Sequence, residues 1–269
     1  MKLDDTDAFT CPGYRRRIVV EPRAEAVLAM LEDDIHGMAV ILRHDGERVL
    51  AVEPYPLRMP WDTCPGAGGQ LAETFAGLPL SEVTARREKK QNCTHLHDLA
   101  VFAASHAGDA AGFEYDIAAT DPVGGVRILE IRRDGETVHR WTEREGVIVD
   151  PAEVAGQGLM TMRDWIASLS GIEQEAARGL QWASLVAHGR TIPYNQQSAA
   201  TDLPPNCYTL QPERAVHANR VGDRLDFSKR GPVPLAGFRA TMLGRLENPA
   251  QIGDVPAVSP RFREIKKWK

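Results

Sequence analysis

The chain is poor in the features that name a function outright. No Gly-Lys-Ser/Thr follows either glycine-rich stretch, Pro65-Gly66-Ala67-Gly68-Gly69 or Gly124-Gly125, so neither matches a phosphate-binding loop and nucleotide binding by such a loop is excluded. No Gly-x-Ser-x-Gly elbow occurs, which argues against the common serine-hydrolase arrangement. No stretch approaches the roughly 20 apolar residues of a membrane span, and the opening Met1-Lys2-Leu3-Asp4-Asp5-Thr6-Asp7 has no apolar signal core, so a cytoplasmic protein is expected. The net charge of −5 and the lack of a sustained basic patch argue against a nucleic-acid partner; Arg15-Arg16-Arg17 is short enough to be a solvated strand edge. Cysteine is scarce as well. With only Cys11, Cys64, Cys93 and Cys207, reduced thiols free for metal binding or catalysis are expected rather than disulfides.

What is present is concentrated in one quarter of the 269 residues. Asp33-Asp34-Ile35-His36 and Cys93-Thr94-His95-Leu96-His97-Asp98 bring together the donor types of a zinc or iron site, and Cys64 lies between them. Cys64 and Cys93 both fall at expected helix starts, where the helix dipole would favour the thiolate. Cys93 and His97 are four apart and would share a helix face. The metal set drawn from these residues is His36, Cys64 and Cys93, with zinc or iron as the ion if one is bound. Asp34, His36 and His95 are the general acid/base candidates, because histidine titrates near neutrality. The plain alternative is that the cysteines are small buried hydrophobes. His44, His106, His139, His188 and His217 stand apart and read as structural or solvated.

The periodicity predicts an α+β protein. Strands are expected over 14–22 and 38–44. The Asp45-Gly46 hairpin leads to a return strand at 47–53, and Pro54, Pro56 and Pro60 end the sheet. Residues 24–34 fit helix or strand. Helices are expected from Cys64-Pro65 through Ala76 with Gly77 as the C-cap, over about 80–90, and from an Asn92 N-cap to Gly108. A second strand set, 113–119, 126–133 and 136–142 around Asp134-Gly135, precedes helices at 158–169 and 172–188. The Pro-rich remainder is expected to wrap the body without a core of its own. The expected divisions are 1–110, 111–190 and 191–269. Trp61, Trp141, Trp165, Trp182, Tyr194 and Tyr208 are either core aromatics or the lining of an apolar pocket.

Two resemblances rest on these motifs. Asp33-Asp34-Ile35-His36, Arg58-x-Pro60, Cys64-Pro65-x-Ala67, Leu78-Pro79-Leu80 and Cys93-Thr94-His95-Leu96-x-Asp98-Leu99 resemble a bacterial family of unknown function marked by its Cys-Thr-His-Leu signature. Gly146-x-Ile148 and Glu175-Ala176 extend the likeness along most of the chain. Three strands followed by Cys-helix-helix-Cys-helix is also similar to the NifU/IscU iron–sulfur scaffolds. Cys64 and Cys93 fall at that fold's second and third cysteines, while His36 replaces its first. The first resemblance implies work in aromatic-compound catabolism: a lyase that releases a small aldehyde such as formaldehyde from a lignin-type aromatic alcohol by retro-aldol cleavage, with Tyr55, Arg58, Trp61 and Tyr208 touching the substrate. The second implies a non-enzymatic metal or iron–sulfur carrier. The long Pro-rich tail is compatible with a homodimer.

Overall fold

The computed structural model describes residues 6–86, 88–193, 196–230 and 232–248. Tyr194, weighed above as a pocket residue, and much of the expected tail lie outside these. The protein is mixed α+β, with eight strands and several helices among the described residues. It divides into two units, each assembled from separate stretches: Met1–Arg17 with Glu114–Gln197 and Asp226–Pro234, and Ile18–Phe113 with Ser198–Leu225 and Leu235–Lys269. Strand β1 (Gly13–Arg23) contributes its first residues to one and its last to the other. The expected segment 191–269 is distributed over both. Among the described residues, no helix is long and apolar enough to cross a membrane.

In the unit of 18–113, 198–225 and 235–269, the strand order is β4 (Val49–Arg58), β3 (Gly37–His44), β2 (Ala26–Asp33), β1. Residues 26–33, ambiguous by pattern, form a strand buried at every position. The reason is that both sheet faces are covered, which replaces alternation with a continuous apolar run. Leu28, Met30, Ala39, Ile41, Tyr55 and Leu57 pack with Met242 and Leu246 of α7 (Arg239–Glu247). The alternate set, including Leu31 opposite Met38 and Val27 opposite Leu42, is equally buried, and α3 (Thr94–Ser105) packs across β2 and β3. The C-terminal stretch therefore supplies a core helix, contrary to the expectation of a coreless wrap.

Pro54 and Pro56 do not end the sheet. They lie within β4, opposite Val40 and Met38. A strand with one free edge tolerates prolines there, since their missing N–H groups need not face a neighbour. A register shift between Gly37 and Met38 leaves Leu57 unmatched and sets Arg58 opposite Gly37, beside the β2–β3 turn. A Cβ at Gly37 would lie 2.9 Å from the tip of the Phe238 ring and 3.2 Å from Arg58 Cβ, so a larger residue there requires that ring to shift.

Helix α1 (Ala67–Phe75) follows a short 3-10 turn at Cys64–Gly66. Gly77 takes the left-handed backbone, φ +79°, just beyond its end. The expected helix at 80–90 is a single turn, α2 (Leu80–Val83). Helix α3 is capped by Cys93 rather than Asn92. Asn92 is instead spent inward, its amide donating to Thr74 Oγ1 at 3.0 Å and the Glu88 carbonyl at 3.0 Å.

In the other unit β1 is followed in order by β5 (Phe113–Thr120), β6 (Val126–Arg133), β7 (Glu136–Arg144) and β8 (Val147–Asp150), a short strand not expected from the sequence. Gly179 of α5 (Gly171–Ala187) sits over Ile131 and Ile117, which face each other across β5 and β6. The expected helix at 158–169 is reduced to α4 (Arg163–Ser168), and Trp165 there meets Trp141 of β7 edge-on at 5.8 Å.

Candidate functional site

The β2–β3 turn is built by Asp33. Its Oδ1 accepts from the backbone N–H groups of Ile35 (2.8 Å) and His36 (2.7 Å), and its own N–H donates to the His36 carbonyl (2.8 Å). This is the local side-chain-to-backbone turn that aspartate favours. The same carboxylate lies 3.1 Å (Oδ1) and 3.3 Å (Oδ2) from Nδ1 of His36. His36 in turn stacks on His95, in the first turn of α3, with centroids 3.8 Å apart and planes inclined by 27°. One ligand atom each from Asp33, His36 and His95 lies within 4.8 Å of the others. Asp33 is fully buried and His95 nearly so, while the His36 side chain keeps 12% exposure, so the group is enclosed but reachable.

Arg58 holds this turn from below. Its Nη1 donates to the Asp34 carbonyl (3.0 Å). Its Nη2 donates to the carbonyls of Asp33 and His36 and meets the Glu32 carboxylate at 3.2 Å. The second Glu32 oxygen accepts from the Leu235 N–H at 2.6 Å, and the Asp34 carbonyl accepts from Leu225 at 2.7 Å. Burial pushes the Glu32 carboxyl above the ordinary range even though Arg58 and the Leu235 N–H pull it down.

Of the expected acid/base residues, the structure brings His36 and His95 together, and Asp33 rather than Asp34 completes the group. Cys64 and Cys93 are not members of it. Both adjoin the 207–209 stretch: Thr209 Oγ1 donates to Cys64 Sγ at 3.4 Å, and the Tyr208 N–H donates to the carbonyl of Asn92, next to Cys93, at 2.9 Å. The expected thiolate preference is reversed. Burial pushes the Cys64 thiol up to about 11, and it pushes Cys93 and Cys207 up as well. Desolvation outweighs the helix-terminus effect here, and each of the first two thiols further resists ionisation because of the other cysteines. His97 is fully buried beside Phe75, 5.1 Å between rings, and its Nδ1 lies 3.7 Å from Asp98. Burial raises the Asp98 carboxyl, but His97 and Lys89 outweigh it and hold the group below the ordinary value.

The expected substrate contacts have separate settings. Tyr55 belongs to the core beneath α7, where its hydroxyl donates to Glu53 (3.0 Å). Trp61 lies under the Arg220 guanidinium at 4.2 Å, and Tyr208 under that of Arg214 at 4.0 Å. Arg58 directs its guanidinium to backbone carbonyls. The sequence points to Asp34 rather than Asp33: an aspartate between two apolar runs is an Asx-turn former, but the two adjacent aspartates share that signal.

No family model, curated protein or solved structure matches this chain. The functional reading therefore rests on the motifs and on this geometry.

Proposed function

We propose that the chain is a carbon–carbon lyase acting on a small aromatic alcohol, releasing formaldehyde or a similarly small aldehyde by retro-aldol cleavage. The observation that carries the reading is the Asp33–His36 hydrogen bond with His95 stacked against it. A buried carboxylate on Nδ1 fixes the orientation and tautomer of the ring, leaving Nε2 as the proton acceptor. In the cleavage, His36 takes the substrate hydroxyl proton. The C–C bond breaks as the carbonyl of the aldehyde forms, and the electron pair stays on the carbon bearing the aromatic group. Protonation of that carbon, with His95 as donor, completes a reaction that needs no oxidant. A plain aryl ring stabilises that charge only weakly, so the reading points to alcohols whose ring or side chain carries an electron-withdrawing group conjugated with that carbon. The substrate class itself comes from the Cys-Thr-His-Leu resemblance.

The test is formaldehyde trapping from a panel of 2-aryl primary alcohols incubated with purified, metal-free protein. Release in step with loss of the alcohol, reduced about 100-fold or more in His36→Gln, is expected. Absence of release across phenolic and non-phenolic members, or release untouched by His36→Gln, sinks the reading.

A further inference from the structure

We propose that Asp33, His36 and His95 also form a binding site for one divalent first-row transition ion. Two imidazoles and one carboxylate are a donor set that suits zinc, iron, cobalt or nickel, and three protein donors leave positions open. Donors each about 2.1 Å from a shared ion lie roughly 3.0–3.4 Å apart. Asp33 Oδ2 and His36 Nδ1 are 3.3 Å apart, while Oδ1 accepts from the backbone. The three donors fall within 4.8 Å of one another, so the His95 ring closes in on the ion to complete the set. Their mounting is stiff: Arg58 ties the carbonyls on both sides of the turn, and His95 is fixed by α3. The outer contacts that orient a ligand are also in place, since the Ile35 and His36 N–H groups hold the Asp33 carboxylate. An ion between Asp33 and His36 takes the place of their hydrogen bond. If the lyase reading holds, the loaded protein does not turn over; that consequence alone rests on the reading, and the binding does not.

The experiment is calorimetric titration of chelator-treated full-length protein with zinc(II), repeated with cobalt(II) while following its visible absorption. One equivalent is expected. Affinity should fall more than about tenfold in His95→Gln, which leaves the turn intact, and in Asp33→Asn, with thermal melts confirming the fold. The Cys64→Ser/Cys93→Ser double variant should bind as the parent does. No binding by the parent, binding unchanged in His95→Gln, or binding lost in the cysteine variant overturns the proposal. Formaldehyde release from the metal-free protein is scored separately, so failure of the lyase reading leaves the titration result standing.

Discussion

The two units solve the same problem, how to keep a hairpin sheet out of water, in different ways. Each has an Asp-Gly hairpin, at 45–46 and at 134–135, and each extends it with antiparallel neighbours. In the unit that carries Asp33, apolar side chains fill both faces of β2 and β3, and charge is confined to the strand ends. In the other, α5 covers one face, while the opposite face buries Glu130 in mid-strand, with Arg140 directly across from it, Arg132 alongside, and Ala8 and Phe9 packed on Ala118 and Ile128 of the same face. With apolar residues on both faces, β2 and β3 keep their polar groups at their ends. The turn there is tied down and partly desolvated, which is the setting in which histidine and carboxylate chemistry is strongest. The sheet of β6 and β7 spends its buried carboxylate on cross-strand pairs instead.

The largest effect should come from the buried end of the two-sided sheet. Arg58→Ala strands the Glu32 carboxylate and releases the turn, and should cost about 3–5 kcal/mol in urea unfolding. Arg58→Lys should recover little of it, because one ammonium cannot serve several carbonyls and a carboxylate in one plane. If Arg58→Ala left stability unchanged while only weakening substrate binding, Arg58 would be a substrate contact and not a support.

Next in size is a pH effect. Below 9.0 the Cys64 thiol is protonated in both states and contributes nothing. Between 9.0 and about 11 the unfolded chain loses that proton while the fold retains it, so stability falls as pH rises. The loss should approach about 2 kcal/mol near the upper end, and Cys64→Ala should flatten the slope relative to its own value at neutral pH.

A smaller loss is expected in the sheet that carries Glu130. Glu130→Gln keeps the shape but removes the charge facing Arg132 and Arg140, which are still partly in water, and should cost about 1–2 kcal/mol by the same unfolding assay. A cost as large as that of Arg58→Ala would erase the distinction between the two designs. Smallest of all is a gain. Gly179→Ala in mid-helix removes backbone freedom from the unfolded chain, and its new methyl meets Ile131 at 3.4 Å, so a stabilisation of about 0.5 kcal/mol in thermal melts is expected.

The hairpins were legible because Asp-Gly fixes a two-strand register locally. Helix α5 was legible because its length and apolar period agree. Residues 24–34 were not, since burial on both faces removes the alternation that marks a strand. The prolines of β4 misled for a related reason: their effect depends on whether the strand is at an edge, and strand order is not local information. The site was half legible. His36 and His95 were marked by type and spacing, but their stacking joins a strand turn to a helix start about sixty positions away in sequence. Of the two readings open for the thiols, burial prevails: a helix terminus is visible locally, but the desolvation that outweighs it comes from residues distant in sequence.

Asp33 has two occupations at one carboxylate. It is the bracket that shapes the hairpin bend and also the anion that grips the imidazole of His36. Asparagine there keeps an oxygen for the bend and loses the charge, whereas alanine removes both, so only the first reports on the chemistry without the architecture. Laboratory inactivation is cleaner at His95, whose ring hangs from a different element. Sequence drift, for its part, has little room at position 33: a chain that keeps its hairpin keeps half of its site.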